Sequence, residues 1–140
     1  MLCVAGGSGL APIKALLEQM ASTMFQREVI FLFGARTQAD LYCLEEMKDY
    51  ERQSGGRFRF LPVLSAEPVD SDWTGARGNV TDLIAKEVPE VERHHAYLCG
   101  PPPMVDAAIM VLNNAGVESH HIHYDKFLDA SHMPGGRGQA

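Results

Sequence analysis

The stretch GGSGLAP at residues 6–12 decides the fold, because it stands between an apolar run and an amphipathic segment. The run before it, Leu2–Ala5, reads as a strand, and a helix is predicted over Pro12–Ser22. Successive glycines let the backbone approach a ligand closely, and a helix N-terminus offers free N–H groups and a positive dipole end. The stretch therefore predicts a phosphate-binding turn, with an ordinary tight strand-to-helix turn as the alternative.

The turn matches neither of two common phosphate-binding motifs. It has no Gly-Lys-Ser/Thr of the P-loop type, and Pro12 replaces the third glycine of GxGxxG. The turn must be interpreted together with the rest of the chain.

Outward from this turn, apolar runs alternate with amphipathic stretches, which is typical of βαβ units. We expect an α/β fold with a doubly wound, five-stranded parallel sheet in the order 3-2-1-4-5 and helices on both faces. The order reverses between the first and fourth strands, so a ligand is expected over their carboxyl ends. The expected strands are Leu2–Ala5, Glu28–Phe33, Phe58–Leu64, His95–Leu98 and His121–Tyr124, and the expected helices are Pro12–Ser22, Ala39–Gln53, Val80–Glu87 and Pro103–Ala115.

Composition indicates a soluble globular domain. The chain has 140 residues, of which 46% are hydrophobic and 21% charged. We expect one domain over residues 1–128 and a flexible, Gly-rich tail over residues 129–140. A net charge of -6 without a Lys/Arg run argues against nucleic acid, and the apolar runs are too short for a membrane span.

Cysteine and histidine spacing argues against bound metal. Cys3, Cys43 and Cys99 lie far apart, which favours a reducing, cytoplasmic setting and no iron-sulfur cluster in this chain. In a strand, His121 and His123 would share a face while His120 points away, and no third ligand follows at a convincing spacing. We therefore expect no metal site.

A second distinctive loop, CGPPPM at residues 99–104, follows the fourth predicted strand. Its consecutive prolines fix φ and remove backbone donors, which gives a stiff wall at the rim of the expected crevice. Cys99 either faces a ligand there or is a small buried residue at the end of a strand. The spacing alone leaves both alternatives open.

Several segments together resemble the NAD(P) domain of the ferredoxin-NADP reductase family. They are AGGSGLAP at 5–12, FGAR at 33–36 with DLY at 40–42, WTG at 73–75 with GNVTD at 78–82, and YLCGP at 97–101 with Met104. The resemblance covers residues 2–128 in the family's order. The CGPPxM loop and the ending Tyr124–Phe127 are most similar to reductase components of bacterial multicomponent oxygenases, of the soluble methane monooxygenase type.

The resemblance implies that hydride passes from NADH to FAD, and that single electrons then leave through a [2Fe-2S] centre to an oxygenase hydroxylase component. FAD and the cluster would belong to FAD-binding and ferredoxin domains, which no segment of this chain resembles. The domain is expected to be a monomer, and to be inactive without its flavin domain. The alternatives are a reductase for a ring-hydroxylating dioxygenase, a flavohaemoglobin or a cytochrome, and a non-catalytic nucleotide-binding module.

Residue roles also follow from the resemblance. The glycine loop would hold the pyrophosphate with Ser8 towards the nicotinamide, Cys99 and Gly100 would lie beside the nicotinamide ring, and Phe127 would cover the flavin. Cys99 and Phe127 are the expected catalytic residues. The expected coenzyme-binding residues are Gly6, Gly7, Ser8, Gly9, Leu10, Pro12, Ala35, Arg36, Ser65, Ala66, Cys99, Gly100, Pro101 and Met104.

The choice between NADH and NADPH depends on two positions. Arg36 follows the second strand, where a basic residue can meet a 2′-phosphate. NADPH-using members of the family, however, read that phosphate with a Ser-Arg pair after the third strand, and here Ser65 is followed by Ala66 and Glu67. A carboxylate near the phosphate is unfavourable, so NADH is expected.

Overall fold

The computed structural model describes residues 1–7, 10–23, 25–42 and 44–126. Ser8, Gly9, Phe127 and the expected tail over residues 129–140 lie outside this part of the chain. The strands are β1 Leu2–Gly6, β2 Val29–Ala35, β3 Phe58–Leu64, β4 Ala76–Arg77, β5 Ala96–Gly100 and β6 Ile122–Lys126. The α-helices are α1 Leu10–Ala21, α2 Leu44–Ser54, α3 Val80–Glu87 and α4 Pro102–Asn114, and short 3-10 helices cover Gln38–Asp40, Val91–Arg93 and Ser119–His121.

The sheet is parallel throughout, and its strand order is β4-β3-β2-β1-β5-β6. The prediction of five strands in the order 3-2-1-4-5 is therefore wrong for the whole sheet. The additional strand is β4, whose Ala76 and Arg77 pair with Val63 and Leu64 at the outer side of β3. Two residues are too few to show an alternating pattern, so β4 left no periodic signal in the sequence.

Strands β1 and β2 are apolar along their whole length because helices cover both faces of the sheet, as predicted. Leu2 and Val4 of β1 belong to the hydrophobic cluster formed with α3 and α4. Cys3 and Ala5, which point to the opposite face, belong to the cluster formed with α1 and α2. Strand β1 lies in the middle of the sheet. The chain first adds strands on one side of β1, where β2 is its neighbour, and then on the other side, where β5 is its neighbour.

Several predicted boundaries are wrong by a few residues. Helix α1 begins at Leu10, so Pro12 lies in the first turn, where its missing N–H group has no intrahelical partner to lose. The predicted helix over Ala39–Gln53 starts only at Leu44, after a separate 3-10 turn that Asp40 caps by accepting the Thr37 N–H at 3.1 Å. The apolar pattern could not show this interruption.

The last two long strands are displaced towards the carboxyl terminus. Strand β5 extends through Gly100 because it pairs along its length with β6, including Cys99 with Asp125 and Gly100 with Lys126. Cys99 and Gly100 thus belong to the strand rather than to the loop. His121 closes a 3-10 helix, so the argument that it shares a strand face with His123 is wrong.

No helix in the described part of the chain is both long and apolar enough to cross a membrane.

Candidate functional site

A cleft of about 730 Å³ opens where β1, β2, β3 and β5 end. It lies where the chain crosses from one side of β1 to the other, which is the position expected for a ligand on an open α/β sheet. The expected site residues Gly6, Gly7, Ala35, Arg36, Ser65, Pro101 and Met104 all line this cleft. Further lining residues, which the sequence analysis did not assign to the site, are Phe33, Gly34, Asp40, Tyr42, Gly78, Asn79 and Val80.

Glycines keep the floor of the cleft low where β1 and β5 end. A Cβ on Gly6 would lie 2.6 Å from Sδ of Met104. A Cβ on Gly100 would lie 2.9 Å from Cε of Met104 and 3.2 Å from the carbonyl oxygen of Gly6. These separations are shorter than ordinary contacts, so Met104 can pack against Gly6, and the ends of β1 and β5 against each other, only because both residues are glycine.

The turn after β1 is built around Gly7, which has a φ of 59°. This left-handed conformation strains any residue with a Cβ. The carbonyl oxygen of Gly7 accepts a hydrogen bond of 3.4 Å from the Tyr42 hydroxyl. The Tyr42 ring is 46% exposed and meets Phe33 edge to face, with ring centroids 6.0 Å apart. Tyr42 therefore forms an aromatic wall beside the glycine turn.

The loops after β2 and β3 continue the hydrogen-bond ladder beyond the strands. The Ser65 N–H donates to the Ala35 carbonyl at 2.9 Å, and the Ala66 N–H donates to the Arg36 carbonyl at 2.8 Å. These bonds hold Ala35, Arg36 and Ser65 together at one end of the cleft. Ala66 itself does not line the cleft, and its contribution comes from this backbone bond.

Glu67 is fixed by Gln38 from the loop after β2. The Gln38 backbone N–H donates to Oε1 of Glu67 at 2.8 Å, and the Gln38 side-chain amide donates to Oε2 at 2.7 Å. These bonds, the side-chain bond most of all, hold the pKa of Glu67 below its usual value. Glu67 is therefore a carboxylate at neutral pH, two residues from the cleft-lining Ser65.

Cys99 lies at the carboxyl end of β5 but does not line the cleft. Its side chain is 2% exposed and packs in the cluster beneath α1 and α2. Burial, with a smaller contribution from the negative charge of Asp125, raises the pKa of Cys99 to about 11. The thiol is thus neutral at physiological pH, and this environment is that of a small buried residue ending a strand.

The remaining expected site residues lie beside the cleft. Leu10 is buried in the cluster under α1, and Pro12 occupies the first turn of that helix. Gly100 lies next to Gly6, at the end of the neighbouring strand. Some lining residues that were not predicted could have been found from the sequence. Phe33, Gly34 and the segment from Gly78 to Val80 lie in the FGAR and GNVTD segments, which already resembled the family.

Comparisons with known proteins agree with this geometry. The chain is 49% identical over 129 residues to the xylene/toluene monooxygenase electron transfer component of Pseudomonas putida, covering 92% of this chain and 37% of that protein. It is 42% identical over 131 residues to the propane 2-monooxygenase reductase component of Rhodococcus jostii, covering 91% of this chain and 35% of that protein. The chain thus spans little more than a third of these relatives.

Solved structures share the fold. The Amycolatopsis cytochrome P450 reductase matches with a TM-score of 0.81 and 35% identity, over 90% of this chain and 37% of that one. The ferredoxin reductase in carbazole 1,9a-dioxygenase matches with a TM-score of 0.73 and 28% identity, over 91% of this chain and 37% of that one. The profile of the family described as oxidoreductase NAD-binding domain matches residues 3–109. With its glycine-floored cleft at the reversal of strand order, the chain belongs to the oxidoreductase NAD-binding domain family.

Proposed function

We propose that the chain is the NADH-binding domain of a flavin-dependent reductase that supplies electrons to an oxygenase. The observation that carries the proposal is the cleft between the glycine floor of β1 and β5 and the loops after β2 and β3. Its volume of about 730 Å³ is in the range of cofactor sites. The relatives named above are reductase or electron transfer components of monooxygenases, which supports the same reading.

The residues present fit a dinucleotide. Gly6 and Gly7, followed by the N-terminus of α1, suit the pyrophosphate because their backbone can come close to an anion. Ala35, Arg36 and Ser65 would hold the adenosine ribose, and Pro101 and Met104 would lie towards the nicotinamide. When bound, NADH supplies a hydride for a flavin held by a neighbouring domain. The role of this chain is to bind and orient the coenzyme.

Cys99 and Phe127 complete the proposal at the nicotinamide end. A neutral Cys99 thiol cannot act as a thiolate nucleophile, since its pKa is raised to about 11. We assign it instead a packing role, as a small polarizable surface behind the ring. Phe127 lies outside the described residues. Its proposed role over the flavin rests on its position in the sequence, directly after β6.

Charge near the loops after β2 and β3 supports NADH over NADPH. Asp40 lines the cleft with its carboxylate fixed by Thr37, and Glu67 is ionised beside Ser65. Arg36 is the opposing positive charge. A 2′-phosphate would bring nearly two further negative charges to this region, so the two carboxylates favour the coenzyme that lacks it.

FAD and a [2Fe-2S] centre belong to the proposal as cofactors of the reductase, in its FAD-binding and ferredoxin domains, with an oxygenase hydroxylase component as final partner. The monooxygenase relatives support this acceptor. The proposal also includes a monomeric domain in a reducing, cytoplasmic setting. The free, buried thiols of Cys3 and Cys99 support the reducing setting.

A nuclear magnetic resonance titration of the 140-residue chain with NADH tests the binding function directly. We expect the amide signals of Gly6, Gly7, Ala35 and Ser65 to shift together with one dissociation constant. Signals of α2, such as Lys48, lie outside the cleft and provide the control. If the cleft amides stay unmoved at millimolar NADH while the fold is intact, the proposed site is wrong.

A further inference from the structure

A cluster of histidines lies at the opposite end of the sheet from the cleft. His95 and His121 immediately precede β5 and β6, whose first residues, Ala96 and Ile122, pair with each other. This register brings the two imidazole rings into contact, with centroids 4.2 Å apart and planes tilted by 32°. Because β5 is five residues long, about 16 Å of strand separates this cluster from the cleft.

Three of the side chains bring metal-ligand atoms together. One nitrogen of His120, one nitrogen of His121 and one carboxylate oxygen of Glu118 all lie within 4.8 Å of one another. The His120 Nε2 atom is 3.4 Å from Oε1 of Glu118. In a tetrahedral site with metal–ligand bonds of about 2.0–2.1 Å, neighbouring ligand atoms are about 3.3 Å apart. Small rotations of exposed side chains would therefore complete the geometry.

Aromatic and imidazole rings pack closely in this cluster. His120 and His121 have ring centroids 4.1 Å apart, and His123 stacks on Tyr97 at 4.9 Å. One divalent ion can bind two imidazoles and a carboxylate together.

We propose that Glu118, His120 and His121 form a binding site for a divalent transition metal ion, of which Zn²⁺ is the best match. Two imidazoles and one carboxylate suit zinc rather than Mg²⁺ or Ca²⁺, which prefer oxygen ligands. Three protein ligands leave one position for water. His95 is a positioning residue, because its ring packs against His121. The bound ion would hold the 3-10 helix Ser119–His121 to its N-cap residue, Glu118.

Isothermal titration of the 140-residue chain with ZnCl₂ tests this proposal. We expect one Zn²⁺ to bind, and the double substitution His120→Gln/His121→Gln to weaken that site at least tenfold. His94→Gln is the matched control, since His94 lies next to the cluster in sequence but is absent from the three-ligand group. MgCl₂ should give no comparable binding.

A second measurement separates coordination from misfolding. His120 is exposed and His121 is half-buried outside the hydrophobic clusters, so the amide spectrum of the double variant should remain that of the folded chain. In the unsubstituted chain, Zn²⁺ should shift the ring-nitrogen signals of His120 and His121 and raise the melting temperature. Equal zinc affinity of the chain and the folded double variant, or an equal loss in His94→Gln, would overturn the site.

Discussion

Sδ of Met104 occupies the space that a Cβ on Gly6 would need, 2.6 Å from its position. Gly6 ends β1 and Met104 lies in the first turns of α4, so the contact joins the glycine floor to the helix that borders the cleft. Gly6→Ala should displace the Met104 side chain and destabilise the chain by about 1–3 kcal/mol, the usual cost of overpacking. Urea unfolding of the two proteins measures this difference.

A double-mutant cycle distinguishes this clash from a general intolerance of alanine. In a Met104→Ala background, Gly6→Ala should cost about 1 kcal/mol less than in the unsubstituted chain. Gly100→Ala provides the contrast, because its Cβ would also meet the backbone oxygen and nitrogen of Gly6 at 3.2 and 3.3 Å. Met104→Ala should rescue that variant only in part, because the contacts with the Gly6 backbone remain. Identical costs of Gly6→Ala in both backgrounds would contradict the contact.

Coenzyme preference should change at Ala66. Placing arginine there restores the Ser-Arg pair that follows the third strand in NADPH-using members of the family, and a charge-assisted contact with phosphate is worth about 1.5–3 kcal/mol. We expect Ala66→Arg to strengthen NADPH binding tenfold or more and to leave NADH binding within about twofold. Calorimetric titration with both coenzymes measures this, and Ala66→Gln controls for size. Parallel changes for NADH and NADPH would argue against a 2′-phosphate at this position.

The Gln38–Glu67 contact should make stability depend on acid pH. The folded chain holds the pKa of Glu67 below its usual 4.5, so the contact stabilises the folded state fully above that value. The stabilisation is lost as pH falls through the lowered folded pKa, because Glu67 is then protonated in both the folded and the unfolded state. The difference in unfolding free energy between the chain and Glu67→Gln should shrink over this interval. A difference that is constant from neutral to strongly acid pH would mean that the Glu67 charge is not involved.

Alkylation should find Cys99 unreactive in the folded chain. With a pKa raised from 9.0 to about 11, its thiolate fraction near pH 8 falls about a hundredfold, and burial slows access further. Iodoacetamide labelling read by mass spectrometry, with the urea-unfolded chain as reference, should show this protection. Rapid labelling of Cys99 under native conditions would place the thiol in an open, reactive environment.

The packing role of Cys99 behind the nicotinamide needs a separate experiment. In the enzyme completed by its flavin domain, Cys99→Ala should slow flavin reduction by NADH, because the surface behind the nicotinamide would be altered. Stopped-flow absorbance measures that rate. Cys3→Ala, which removes a thiol buried in the same cluster, is the control for a loss of packing alone. An unchanged rate in Cys99→Ala would contradict this packing role.

The sequence predicted the parts of the fold that have continuous apolar runs. Leu2 to Ala5 and Val29 to Phe33 are covered on both faces, so their continuous apolar character was a direct signal. Strand β4 could not be predicted, since Ala76 and Arg77 pair with β3 without any hydrophobic run. The arginine helps to hold it by donating to the carbonyl oxygens of Glu67 and Pro68 at 3.0 and 3.1 Å, which are contacts that no local pattern encodes.

Within the site, residues that act through a special backbone were easier to identify than residues that act through a distant partner. Gly6 and Gly7 were evident because they stand between a strand and a helix. Tyr42 and Glu67 depend on Gly7 and Gln38, which are 35 and 29 positions away in sequence. Those pairings exist only after the sheet has brought the loops together. The same holds for Glu118 and the neighbouring histidines, since the 3-10 helix replaced the strand that their spacing suggested.

The two edge strands of the sheet differ in their capacity to pair with a strand from another chain. At one edge, β4 has only two residues, which is too short to template a growing ladder. At the other edge, β6 has five residues, and all of them after Ile122 are exposed. That edge carries Asp125 and Lys126, and charges on an edge strand oppose unwanted pairing between chains. Neutralising these two side chains would remove this protection from the β6 edge.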